Sequence, residues 1–259
     1  MSVATEPGIG VYVYGMVPKD AAVTEDARGV GEKPGEIMVI QHGEIAALVS
    51  EIPLDRPLGT PDDLLRHQGL LDATAAEAPV LPLRFGAVVT SAEAVVEDLL
   101  EPHHDELHAA LKELEGRAQY VVKGRYVEQT VLREVMEELP EVARLRDEIR
   151  ARGEEAARDL RIRLGELVGD AIAAKREADT RALLEAAAPV SVLSAEREPS
   201  HEQDAVHVAL LVEKDRQAEL EQTVADFAGR WAGRVEFRLL GPLAAYDFVV
   251  SGKDGAQWE

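Results

Sequence analysis

Three short apolar runs, residues 11–17 (VYVYGMV), 81–86 (LPLRFG) and 241–248 (GPLAAYDF), set the frame for this chain. Each is edged by Gly or Pro and reads as a buried strand, so the fold needs sheets with covered faces. None of the three carries a nucleophile, a metal-ligand pair or a phosphate loop. The 259 residues suffice for two domains at roughly 100–200 residues each. Hydrophobic residues make up 46% and aromatic residues only 4%, so the core is expected to be mainly Leu, Val, Ala and Ile.

In the first half, residues 9–17 read as a strand and residues 18–35 as a glycine-rich loop. Residues 36–41 and 44–51 are two further strands around His42-Gly43, a hairpin signal. Thr60-Pro61-Asp62-Asp63 opens a helix with an N-cap, a first-turn proline and acids against the positive dipole end. Leu64, Leu65, Gln68, Leu70 and Leu71 are its expected inner face, and Pro79 ends it. Residues 80–89 read as a central strand with one charge, Arg84. Ser91 caps a helix to about residue 115 that Pro102 splits, with Gly116 at its end.

In the second half, residues 119–128 form a strand. Helical periodicity then runs over residues 129–188, interrupted at Pro140 and Gly153. Within it Leu160, Leu164, Leu167, Ala171, Ala174 and Ala178 step by fours and threes, as in a coiled-coil seam. From residue 141 to residue 185 there are 11 acids and 10 bases, the pattern of a solvated, salt-bridged face. Strands are expected at 189–197, 204–213, 234–240 and 245–250. Between them a helix, capped by Asp215, carries Leu220, Val224, Phe227 and Trp231 on one stripe. Gly241-Pro242 is expected to break the last strand pair, with Tyr246, Phe248 and Val250 facing inward beyond it.

The resulting fold class is α+β. Two domains, residues 1–116 and 117–259, each carry a ferredoxin-like (split βαβ) sheet with helices. In the first a loop replaces the first helix. In the second a long helical, coiled-coil hairpin is inserted at about 129–188.

The three apolar runs, in this order around a long charged helical middle, resemble the GvpL/GvpF family of gas vesicle proteins from about residue 10 to residue 250. The resemblance implies a non-enzymatic protein of gas vesicle assembly or a minor vesicle component. It further implies contact with the small hydrophobic shell subunit or with other accessory proteins, at the gas vesicle or in the cytoplasm. It transfers no catalytic residue. The alternative from fold analogy is a ferredoxin-like module sensing a small molecule.

A formal charge of −21 opposes binding to nucleic-acid phosphates or anionic lipid and suits high solubility or a basic partner. The chain has no cysteine, which excludes disulfides and thiolate chemistry. No run reaches the roughly 18 apolar residues of a membrane span, and a soluble, cytoplasmic protein is expected. His104 and His108, at i and i+4 in HHDELH, could offer two imidazoles to a metal but lack a third ligand, so a solvated helix is expected instead. No phosphate-loop or nucleophile-elbow motif occurs, and no cofactor is expected.

Two candidate partner surfaces emerge. Arg84, as the one charge in a buried run, must pair with an acid such as Glu51, bond backbone carbonyls, or line a docking groove with Phe85. Leu164 and Leu167, in the helical seam, either pack within the chain or pair two chains in self-association.

Overall fold

The computed structural model describes residues 8–22, 27–32, 35–54, 58–152 and 157–249. Among them the chain is α+β, with two antiparallel sheets and helices. The described residues form two compact units: those within 1–120, 211–215 and 241–249 in the first, those within 121–210 and 216–240 in the second. The expected boundary lay after Gly116. The late segments return to the first unit because Leu211, Ala244 and Ala245 are buried in its cores.

The first sheet contains β1 (Ile9–Pro18), β2 (Met38–His42), β3 (Ile45–Pro53), β4 (Leu81–Pro82) and β5 (Val88–Val89). Its order is β2-β3-β1-β4, with β5 also on β1. Every residue of β1 from Gly10 to Val17 is buried, because both sheet faces are covered. The β1–β3 register shifts between Val13 and Gly15, leaving Tyr14 as an extra residue. That bulge reverses the alternation. Met16 joins Val11 and Val13 on one face, while Val17 joins Tyr12 and Tyr14 on the other.

The β2–β3 hairpin pairs His42 with Ile45, so its two-residue turn is Gly43-Glu44, one residue later than expected. Gly43 takes φ +60°, as the first central position of a type II′ turn requires.

Helix α1 (Pro61–Glu77) begins as the sequence predicts. Thr60 accepts from the Asp63 amide, and the Asp63 side chain bonds back to the Thr60 backbone, closing a capping box. Its inner face differs from the expected one. Leu64 and Leu65 are exposed, whereas Asp63, His67 and Thr74 are buried beside Leu70 and Leu71. The helix turns inward those polar groups that find partners and leaves two leucines outside.

The opposite sheet face carries α2 (Ala92–Ala94), a π-helical turn (Val95–Leu100) and α3 (His104–Glu113). Ser91 caps this stretch by accepting from the Ala94 amide. Pro102 divides it. The wider π turn, closed by Glu101 N–H donating to the Val96 carbonyl, stands just before the proline.

In the second unit lie α4 (Glu128–Glu138), α5 (Pro140–Arg152), α6 (Arg158–Ala187) and α7 (Gln217–Arg230). The second sheet joins β6 (Arg117–Tyr126), β7 (Leu193–Glu196), β8 (Asp204–Glu213) and β9 (Val235–Leu243) in the order β7-β8-β6-β9. Pro140 separates α4 from α5 as expected, while Gly153 lies outside the described residues. Leu220, Val224 and Phe227 are buried on α7 as expected, and the Trp231 ring meets Phe227 at 5.1 Å. Asp215 does not cap α7: it sits in a short 3₁₀ turn (Lys214–Arg216), and Arg216 pairs with Glu219 instead.

Strand β9 continues through Gly241-Pro242, which the sequence reading took as a break. It ends the strand order, and an edge strand tolerates a residue without an N–H. A side chain at Gly241 would strike the Tyr120 ring. Residues 245–249 form a turn instead of the expected strand. Tyr246 is 39% exposed yet turns its hydroxyl inward to His67, Phe248 packs partly buried against the core, and Val250 lies outside the described residues.

One ionic node ties together α4, α6, the end of β6 and Arg234, the residue before β9. Arg234 bonds Glu134 through Nε at 2.9 Å and Asp179 through Nη2 at 2.8 Å. Tyr126 donates its hydroxyl to Asp179 at 2.6 Å, and Lys175 bonds Glu138 and Glu134. Burial, and then the Asp179 carboxylate beside it, push the Tyr126 phenol pKa up.

Candidate functional site

The segment holding Arg84 and Phe85 is not one buried central strand. Leu83 N–H bonds the Tyr14 carbonyl and Val13 N–H bonds the Ala87 carbonyl, so residues 84–86 loop out of the ladder with β1. Gly86, at φ +102°, makes the loop possible. Arg84 is therefore exposed at a sheet edge, and among the described residues it forms no ion pair with Glu51. Phe85 folds back, half-buried, with its ring 5.8 Å from Tyr12 and 5.6 Å from His67. The two residues thus part: one faces solvent, the other closes a core.

That core is a polar–aromatic cluster which sequence reasoning missed. His67, on the inner face of α1, meets the Tyr12 hydroxyl at Nδ1 (3.0 Å) and the Tyr246 hydroxyl at Nε2 (3.1 Å). Tyr12 also accepts from Gly86 N–H; with the Tyr12 proton placed on Nδ1, the neutral ring carries its hydrogen on Nε2, facing Tyr246. This assignment satisfies each group with His67 neutral. Burial pushes the His67 pKa down and the Tyr12 and Tyr246 pKa values up, consistent with it.

Tyr14 extends the cluster, bonding Ser50 Oγ at 2.9 Å and accepting from Val30 N–H. Burial works against the Asp63 carboxylate, but hydrogen bonds from Gly31, Thr60 and Gly59 outweigh it and hold its pKa low. The same core anchors the C-terminal turn. Ala244 N–H donates to Asp72, and Gln119 bonds Asp247 from both ends of its amide.

The seam of α6 is only partly realised. Leu160, Leu164, Leu167 and Ala171 are half-buried, but Ala174 and Ala178 are exposed. The inner face passes instead to Lys175, Asp179, Leu183 and Ala187. A straight helix repeats at about 3.6 residues per turn, so a 3.5-residue stripe drifts off its face unless the helix supercoils. Helix α6 packs on α5 and α4, with Arg163 paired to Glu141 on α5. We expect Leu164→Lys with Leu167→Lys to lower stability by about 2 kcal/mol in urea unfolding, from lost apolar burial. Retained stability with loss of a dimer in gel filtration would instead place these leucines at a self-association surface.

His104 and His108 stack at 6.0 Å between ring centres instead of converging. His104 bonds Asp105 at 3.0 Å and lies 3.2 Å from Glu44 at the β2–β3 turn. Among the described residues no three His, Asp or Glu side chains converge to hold a metal, and no helix is long and apolar enough to cross a membrane. The cluster around His67 is fully hydrogen-bonded and closed by Phe85, which suits holding segments together.

The chain matches the family model for gas vesicle synthesis protein GvpL/GvpF over residues 10–250. It is 30% identical to gas vesicle protein F of Streptomyces sp. (strain CB03234), covering 93% of this chain and 100% of the relative. With gas vesicle protein F of Dolichospermum flosaquae it shares 25% identity, covering 93% of this chain and 98% of the relative. The crystal structure of gas vesicle protein GvpF from Anabaena sp. PCC7120 superposes with a TM-score of 0.75 at 24% identity, covering 93% and 98% of the two chains. That of GvpF from Microcystis aeruginosa gives 0.72 at 21% identity, covering 92% and 98%. These two likenesses show the fold, and the match over nearly the whole length shows the family: the chain belongs to the GvpL/GvpF family of gas vesicle proteins.

Proposed function

We propose that this chain is a non-enzymatic factor of gas vesicle assembly that works by binding the shell subunit or other accessory proteins, at the vesicle or in the cytoplasm. The observation that carries the reading is the family match over residues 10–250. In this reading an acidic, soluble protein shields an apolar subunit until it joins the shell. Strand addition at exposed sheet edges such as β2, or pairing through α6, would provide the grip. The strand orders β2-β3-β1-β4 and β7-β8-β6-β9 support a ferredoxin-like plan for each sheet, with a helical insertion in the second.

Deleting the gene in a gas-vesicle-forming host tests the role. Electron microscopy is expected to show absent or malformed vesicles, restored by the intact gene. Normal vesicles in a host without a second family member would reject the assembly role. Failure to co-purify the shell subunit or any accessory protein under native conditions would reject the binding mechanism.

A further inference from the structure

On the first sheet's outer layer, the π-helical turn, α3 and β4 enclose a small apolar slot. Met16, Leu81, Leu83, Leu99, Leu107 and Ala110 line it, with Glu106 at its rim. Its volume is about 50 Å³. Small-molecule sites run to about 300–1,000 Å³, so the slot admits the tip of one aliphatic side chain and no metabolite.

The surface around it is charged in one sense. Between Ser91 and Glu115 the chain carries eight carboxylates and one lysine, Lys112, and all eight carboxylate residues are exposed. Among the described residues none of the eight forms an ion pair with Lys or Arg, and only Asp105 meets a cation-capable group, His104. The long helices behave differently: Glu141, Glu148 and Glu177 there each pair with an arginine. Crowded like charges repel, and within residues 91–115 Lys112 is the one fixed positive charge. The π turn that places Leu99 at the slot is a local departure of the kind often found at functional positions.

We propose that this face docks a basic segment of a partner protein that inserts one aliphatic side chain into the slot between Leu99, Leu107 and Ala110. Lysines or arginines flanking that anchor meet Asp98, Glu101 and Glu106. Charge steers the encounter, and the slot sets the register. The inference rests on the reading that the chain works through protein partners, and it adds the face and the chemistry.

The test uses the full chain and fluorescein-labelled synthetic helical peptides, read by anisotropy at low and moderate salt. One peptide is built of Leu and Lys, a second keeps the lysines with Ser for Leu, and a third pairs Leu with Glu. The Leu/Lys peptide is expected to bind at least 10-fold tighter than either control. Ala110→Trp, which fills the slot, and Asp98→Lys with Glu106→Lys, which changes only exposed groups, are each expected to weaken it at least 10-fold. Glu221→Lys with Asp226→Lys, an equal charge change on α7, is expected to alter it less than 2-fold. No binding, equal binding of the Ser/Lys peptide, or an equal loss from the α7 variant would each overturn the proposal. A deletion phenotype in vesicle formation would stand whichever result is obtained.

Discussion

Replacing Asp179 with alanine is expected to lower stability by about 3 kcal/mol, because it strips a buried ionic node of its central acceptor. Asp179 accepts from the Tyr126 hydroxyl and from Arg234, and is itself 9% exposed. Without it the buried Tyr126 hydroxyl loses its partner, and Arg234 keeps only Glu134. An unsatisfied buried donor alone costs about 1–3 kcal/mol. Arg234 is about one-fifth exposed, which keeps the ionic share well below that of a fully buried pair. Asp179→Asn retains an acceptor for Tyr126 and is expected to fall between the two. In a double-mutant cycle with Tyr126→Phe, urea unfolding should show a coupling of about 1 kcal/mol or more. A loss below 1 kcal/mol for Asp179→Ala would mean that solvent already screens the node.

The second large effect is expected at His67. Removing its ring with His67→Ala deletes bonds to Tyr12 and Tyr246, leaves the Tyr12 proton without an acceptor, and opens a cavity under Phe85. Cavity and lost hydrogen bonds together are expected to cost about 3 kcal/mol. The same residue imposes a pH dependence. Burial lowers the folded-state pKa below the ordinary 6.5, so the unfolded chain binds the proton more readily. Stability is therefore intact above about 6.5 and is lost as pH falls from there towards the lowered folded value. Protonation would also turn Nδ1 into a donor facing a Tyr12 oxygen that already accepts from Gly86. Urea unfolding at pH 7.5 and pH 5.5 checks this. The intact protein should be weaker at pH 5.5, and His67→Phe, which fills the ring volume without titrating, should show a smaller drop. Equal drops in both would remove His67 as the cause.

Phe85 and Arg84 were legible as an anomaly, a charge beside an aromatic in an apolar run, but their separation was not. Three residues looping from the ladder decide it, and that depends on how residues 81–89 meet β1. His67 offered no local signal. Its partners lie 55 and 179 positions away, and the tail that supplies Tyr246 reads as a strand when only its alternation is considered.

What the sequence determined by itself is what near neighbours can enforce: the Thr60 N-cap, the β2–β3 hairpin, the breaks at Pro102 and Pro140, and the apolar strands β1 and β8. Each rests on backbone geometry or on hydrogen bonds within a few residues. Only the tertiary structure decided which faces turn inward. The bulge at Tyr14 reversed the alternation of β1. The buried stripe of α1 took in Asp63 and His67 because Gly31, Tyr12 and Tyr246 came to satisfy them. On α6 the stripe left Ala174 for Asp179, where Tyr126 and Arg234 wait. A polar side chain is buried when a distant partner satisfies it, and periodicity along one segment cannot reveal that partner.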